Sequence, residues 1–302
     1  MGAQGWIRAL GRSRWVVFVL LVGALSACGS DGEGDGTGGQ PKPYALLSAF
    51  PAEQAPLLAQ ATVEQTVVVN GRNFRMATLH GVHVIMGLTG IGLLNAANTT
   101  HELLDRFDVA GVIVSAVAGG NTISIGDVAV PAEWSLKDGV MFAAYEPWLS
   151  VARSLVTSVS LERCLSLPSA STQPVCMPQQ PVIAIGGTGL SDDPFGNTPL
   201  ACRPNGGDVY GCDVTDATSS GSAASAFRIA AAQTPVVNDM ETAAIAREAA
   251  VKNLPFIAFR AASDGPGDPL NLGGFLNQFS AYYAFAARNA ALTTVSFLEE
   301  LH

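Results

Sequence analysis

Residues 237–264 read V-N-D-M-E-T-A-A-I-A-R-E-A-A-V-K-N-L-P-F-I-A-F-R-A-A-S-D. The acidic cluster Asp239-Met240-Glu241 opens an Ala-rich stretch of helical character, which Asn253-Leu254-Pro255 stops. The apolar run 256–259 has the length of a strand and delivers Arg260, Ser263 and Asp264 to its end. Helix followed by strand is one αβ step of an α/β fold. In open α/β sheets ligands bind outside the carboxyl ends of the strands, so Asp264 is expected at a binding crevice. Glu241 at the head of a helix and Asp264 at the end of a strand then converge on one small molecule.

The rest of the chain fits the same architecture. Residues 44–50 form an apolar strand, and Pro51 suits the first turn of the helix that follows. That places Glu53 in a first helical turn just past a strand end, where the helix dipole favours an anion. Asn70-Gly71-Arg72-Asn73 between strands 66–69 and 74–79 is a hairpin signal. Strand 83–88 runs into Gly87-Leu88-Thr89-Gly90-Ile91-Gly92 before a helix over 93–107. This glycine pattern is not the dinucleotide fingerprint. It implies close approach of backbone N–H groups to a ligand at a helix N-terminus. Residues 111–117 form a buried strand ending in Ala118-Gly119-Gly120, with a further strand at 181–186 and a closing helix over 275–301.

The Met240-Glu241 and Ser263-Asp264 pairs resemble the nucleoside phosphorylase and nucleosidase superfamily, in particular the bacterial 5′-methylthioadenosine/S-adenosylhomocysteine nucleosidases. The hairpin, the T-G-I-G turn, Gly119-Gly120, Gly126-Asp127 and Glu133-Trp134 carry the same resemblance. It runs over about 44–134 and resumes at 181, lapsing over 136–180 and 191–227, where cysteine-bearing loops look like insertions. The resemblance implies a three-layer α/β/α domain with a mixed twisted sheet of eight or more strands. The implied reaction is hydrolysis of the N-glycosidic bond of a purine nucleoside or 5′-thionucleoside, without metal or organic cofactor. Family members are commonly dimers or larger homo-oligomers.

By the same resemblance Asp264 protonates the departing base at N7 with Ser263 beside it. Glu241 holds the ribose hydroxyls, Met240 packs on the sugar, and Glu53 activates water. Thr89 and Gly119 complete the substrate-contacting set. Phe195 or Leu190 is a candidate for the base pocket and Tyr282 for the sugar substituent. Phosphorylases of this type place an arginine where Val114 stands here, and a buried phosphate dianion without cationic partners is very unfavourable. Hydrolysis is therefore favoured, with phosphorolysis and nucleoside capture without turnover as the alternatives. Val117 stands where the nucleosidases carry a serine, which removes a hydroxyl close to the sugar.

Residues 1–27 read as a targeting signal. Arg8, Arg12 and Arg14 precede an apolar run over 15–25, which is too short for the roughly 20 residues that span a bilayer. It ends in Leu25-Ser26-Ala27-Cys28, which looks like the lipobox of bacterial lipoproteins and makes Cys28 the lipidated first residue of an exported, membrane-anchored protein. The Gly- and Asp-rich stretch 29–43 is a flexible tether, leaving 44–302 as one domain with its insertion region around 136–226. Loss of the leader's three arginines moves the formal charge from −9 to −12. Such an acidic chain has no basic stripe for nucleic acid. Four cysteines remain, Cys164, Cys176, Cys202 and Cys212, an even number that an oxidising compartment allows to pair. Bridges 164–176 and 202–212 are the simplest of three connectivities.

Overall fold

A computed structural model describes residues 41–166, 173–196, 198–216 and 235–302. The leader and Cys28 lie outside the described residues. In the first part of the chain, β1 (Tyr44–Ser48), α1 (Pro51–Leu58), β2 (Ala61–Val69), β3 (Arg72–Leu79) and β4 (Val82–Leu88) are followed by α2 (Leu93–Arg106) and β5 (Val112–Gly120). Short strands β6 (Val128–Val130), β7 (Glu133–Leu136) and β8 (Met141–Ala143) lead to α3 (Glu146–Ser158). The cysteine-bearing region contributes β9 (Cys164–Leu165), β10 (Val175–Cys176), β11 (Ile183–Ile185), β12 (Thr188–Ser191) and α4 (Gly207–Tyr210). The chain then forms β13 (Val237–Asp239), α5 (Thr242–Val251), β14 (Phe256–Asp264) and the long α6 (Gly274–Leu301).

Twelve of these strands build one mixed sheet. β1 lies between β4 and β5 in parallel, and β14 runs parallel to β5 from Phe256 to Asp264. β2, β3 and β4 pair antiparallel at one side, with a two-residue turn at Asn70 and Gly71 joining β2 to β3. Both turn residues have positive φ, 48° and 82°, as a tight hairpin of this kind demands.

β5 reads V-I-V-S-A-V-A and is buried along that whole run. A strand without polar alternation is one covered on both faces, and helices do cover both. Ile113, Phe259, Leu57 and Phe297 share a core with α1, α3 and α6. Val112, Val114, Ala258 and Ile245 share the other with α2 and α5. This is the expected three-layer α/β/α arrangement. Two bridges, Cys164–Cys176 and Cys202–Cys212, close loops of 12 and 10 residues separation.

Candidate active site

Three carboxylates meet where β1, β5, β13 and β14 end. Glu53 is the third residue of α1, and its side chain folds back on the turn before the helix. Oε2 accepts the N–H of Ala49 at 2.6 Å and of Phe50 at 3.3 Å, while Oε1 accepts that of Val117 at 2.8 Å. Dipole complementarity at a surface turn does not bury a carboxylate, yet Glu53 is 1% exposed. Burial pushes its pKa up to about 8, with nearby Arg260 pulling down and Glu241 pushing up. Val117 thus serves through its N–H, which a serine-to-valine change leaves intact.

Asp239 ends β13, and Glu241 occupies the cap position of α5. The capping work falls to Asp239, which accepts from the N–H groups of Glu241 and Thr242 and from the Ser191 and Thr242 hydroxyls. Glu241 is free to point elsewhere. Its Oε1 accepts the Gly92 N–H at 3.0 Å and its Oε2 lies 3.2 Å from Arg260 Nη2. Burial raises its pKa to about 7 against the pull of Arg260. A Cβ on Gly92, at φ +99°, would come within 3.0 Å of Phe195, so this approach needs glycine.

Asp264 pairs with Gly119 across the strands. Ser263 Oγ lies 3.0 Å from Asp264 Oδ2 and 3.3 Å from the Ala118 carbonyl, either of which takes its one proton. Burial lifts the Asp264 pKa to about 7, against the lowering effect of the Ser263 hydroxyl. Gly119 keeps this corner open, since a Cβ there would stand 3.0 Å from Asn238 Nδ2 and 3.1 Å from Asp264 Oδ1.

A cavity of about 810 Å³ lies over these groups, with Glu53, Met240, Glu241, Ser263, Asp264 and Gly119 in its lining. Thr89 is elsewhere. It is fully buried, its hydroxyl donates to the Gly90 carbonyl, and its own carbonyl accepts from Thr99. The expectation of ligand-facing N–H groups at this turn is corrected too. Gly92 N–H is taken by Glu241 and Leu93 N–H by Asp193. Tyr282 is also displaced from its expected place: it is buried against Ile125 and Phe285, and its hydroxyl donates to Asp268. Phe275 and Phe279, nearer the start of α6, reach the cavity instead. Phe195 lines it, whereas Leu190 is buried in β12.

Arg260 lies within β14, because pairing with β5 carries that strand on to Asp264 instead of ending it at the arginine. The guanidinium is 1% exposed and ties the site together. Nε lies 2.9 Å from Asp239 Oδ2 and 2.8 Å from Thr242 Oγ1, Nη1 donates to the Val117 carbonyl at 2.8 Å, and Nη2 reaches Glu241. One buried cation among Glu53, Asp239 and Glu241 cannot balance three anions, which agrees with the raised pKa values of Glu53 and Glu241. The sequence held a signal for it: a lone arginine inside F-I-A-F-R-A-A is a charge in a strand with no polar face. The wall formed by Leu200, Arg203, Val209 and Tyr210, inside and beside the Cys202–Cys212 loop, was not expected at the cavity at all.

Comparison with known proteins agrees with this fold. The sequence pattern described as the phosphorylase superfamily matches residues 43–163. The chain is 36% identical over 186 residues to the uncharacterized protein Rv2293c of Mycobacterium tuberculosis, covering 55% of this chain and 74% of that protein. It is 25% identical over 261 residues to a 5′-methylthioadenosine/S-adenosylhomocysteine nucleosidase of Psychromonas ingrahamii, covering 85% and 98%. The crystal structure of such a nucleosidase from Colwellia psychrerythraea, in complex with adenine, is similar in fold. Its TM-score is 0.59 at 21% identity, covering 87% of this chain and 96% of that one.

Proposed function

We propose that this chain is a member of the phosphorylase superfamily, whose pattern matches residues 43–163, and that it hydrolyses the N-glycosidic bond of a purine nucleoside or 5′-thionucleoside to free base and pentose. The observation carrying the proposal is the convergence of Glu53, Glu241 and Asp264 on one cavity. Glu53 is held by the Val117 N–H and Asp264 faces Gly119, so their backbone anchors stand two residues, about 7 Å, apart along β5. That spacing lets one group meet the imidazole edge of a base while the other meets water beyond the anomeric carbon.

In the proposed reaction the C–N bond breaks with its electron pair going to the base, which takes the Asp264 proton at N7. Water adds to the anomeric carbon and yields its proton to Glu53, and solvent exchange resets both carboxyls. Glu241 accepts hydrogen bonds from the ribose hydroxyls, with Met240 against the sugar. Hydrolysis is preferred to phosphorolysis because Arg260, the arginine beside Glu53 and Glu241, is already engaged by Asp239 and Glu241, and so are Arg72, Arg75 and Arg106. Arg72 pairs with Glu102, Arg75 with Asp213, and Arg106 lies over the Phe107 ring. Val114 is buried within the sheet. Incubation with a panel of purine nucleosides, with and without phosphate, tests this: base released equally in both supports hydrolysis, and base released only with phosphate overturns it.

The pH dependence follows from the carboxyls. Glu53 must be ionised to accept a proton, so its contribution grows as pH rises through about 8. Asp264 must be protonated, so its contribution falls as pH rises through about 7. kcat/KM is expected to be bell-shaped with its maximum between these values and only a minority of molecules in the productive state. The limbs belong to the coupled cluster, not to single residues. A profile flat from pH 6 to 9 would contradict this division of roles.

We extend the proposal to compartment: lipidation at Cys28 and export. Both disulfides suit an oxidising environment. Retention of a Cys28→Ser variant in the membrane fraction, with unchanged mass processing, would sink it.

A further inference from the structure

Across the sheet, Asp264 on β14 and Glu53 beside β1 lie on opposite sides of β5. Beyond β1 come β4 and β3, and β3 together with α2 carries anchors of the Cys202–Cys212 segment. Leu200 O accepts from Asn95 Nδ2 at 2.7 Å on α2. Asp213 takes Asn73 Nδ2 and Arg75 Nη2 on β3, both at 2.6 Å. Although burial opposes it, the Arg75 and Asn73 hydrogen bonds hold the Asp213 carboxyl at about 2, so this clasp is ionised throughout the neutral range. Asp208 on α4 accepts from the Tyr283 hydroxyl at 2.6 Å. The segment is thus a fixed wall of the cavity, on the side of Glu53 away from Asp264.

A nucleoside with its base at Asp264 and its anomeric carbon near Glu53 extends its 5′ end toward this wall. The surfaces there are apolar: Phe50, Ile91, Val209, Tyr210 and Phe279. Arg203 stands among them with its guanidinium 5.5 Å from the centre of the Tyr210 ring. Other charged groups lining the cavity are engaged. Lys137 pairs with Asp192, Asp193 accepts two backbone N–H groups, and Asp239 and Glu241 share Arg260. Among the described residues Arg203 has no carboxylate partner.

We propose that the Cys202–Cys212 wall receives the 5′ substituent of the substrate, and that Arg203 selects substituents with an apolar stem and an anionic end. The inference rests on the nucleosidase reading and names its substrate class. Aromatic seating of the guanidinium leaves its N–H edge available for a carboxylate or phosphate. The base and sugar do not need the full cavity, which is near the upper end of the roughly 300–1,000 Å³ typical of small-molecule sites.

The test uses the full chain and two probes, an adenosine carrying a 5′-thio-linked butanoate and the methyl ester of the same compound. Base release and equilibrium binding are both measured, with and without inorganic phosphate. Wild type is expected to favour the carboxylate over the ester about three- to tenfold, as a solvent-edge charged contact allows. The preference should shrink as salt is raised. Arg203→Gln should erase it by losing far more on the carboxylate than on the ester, and Arg203→Lys should restore part of it. Equal handling of the two probes by wild type, or an equal loss on both in Arg203→Gln, overturns the proposal. An Arg203 effect seen only in the presence of phosphate also overturns it, assigning the cation to a phosphate site. Should no nucleoside be cleaved, the nucleosidase reading fails, and the binding arm still decides the role of Arg203.

Discussion

Asp264→Asn is expected to lower kcat by about 10²–10⁴-fold, the usual contribution of one positioned acid. A purine departs poorly as an anion, and an amide at this position has no proton to give it at neutral pH. The parent carboxyl has one because burial lifts its pKa to about 7, near the working pH. The fold should tolerate the change, since Ser263 Oγ retains both the new side-chain oxygen and the Ala118 carbonyl as acceptors. Glu53→Gln is expected to reduce kcat by a similar factor with KM nearly unchanged, because its partner is water. Glu241→Gln should act mainly on KM, weakening charge-assisted hydrogen bonds of about 1.5–3 kcal/mol to the sugar. Steady-state kinetics on variants shown to be folded by circular dichroism separates these patterns. Full activity in all three would remove the catalytic assignment altogether.

Arg260→Met is expected to destabilise the domain by about 3–5 kcal/mol, the usual cost of stripping one partner from a buried ion pair. The methionine fills much of the volume, so the loss is electrostatic: among the described residues Asp239 and Glu241 lose the only cation they contact. Glu53 and Glu241 both feel Arg260 as a lowering influence, so its removal pushes their pKa values still higher. Whatever activity survives should therefore have its acid limb displaced to higher pH. Arg260→Lys retains the charge but cannot span Asp239, Glu241, Thr242 and the Val117 carbonyl together, and should recover only part of the stability. Urea denaturation of the three proteins gives the comparison. A methionine variant as stable as wild type, with the same pH profile, would show that the arginine holds nothing together.

The α/β layering was legible because it rests on local patterns: uninterrupted apolar strands, an Asn-Gly turn, and proline and glycine at element boundaries. Glu53, Glu241 and Asp264 were legible as candidates because each sits where a strand gives way to another element. Arg260 is visible in the sequence as a charge within an apolar strand, but its role depends on three carboxylates brought from separate parts of the chain. Thr89 was misplaced because a glycine-rich turn shows that backbones come close without showing to what. Here the visitors are the protein's own Glu241 and Asp193. Tyr282 was misplaced because several aromatics share α6, and which of them meets the cavity depends on helix rotation. The Cys202–Cys212 wall was illegible for a different reason: its anchors on α2, β3 and α6 are long-range contacts with no periodic trace in sequence.

The position of β14 has a bearing on how the chain reaches this state. That strand, drawn from residues 256–264, lies between β5 and β6, which were laid down more than a hundred residues earlier. Until it arrives, β5 presents an unpaired apolar edge, and neither face of the sheet's centre can close. Contacts so distant in sequence carry a large loop-closure cost, which slows folding and prolongs exposure of sticky edges. A nascent chain released short of β14 would therefore lack the proposed acid Asp264 and its central strand together. Such a fragment is a substrate for chaperones and proteases, not a weak enzyme.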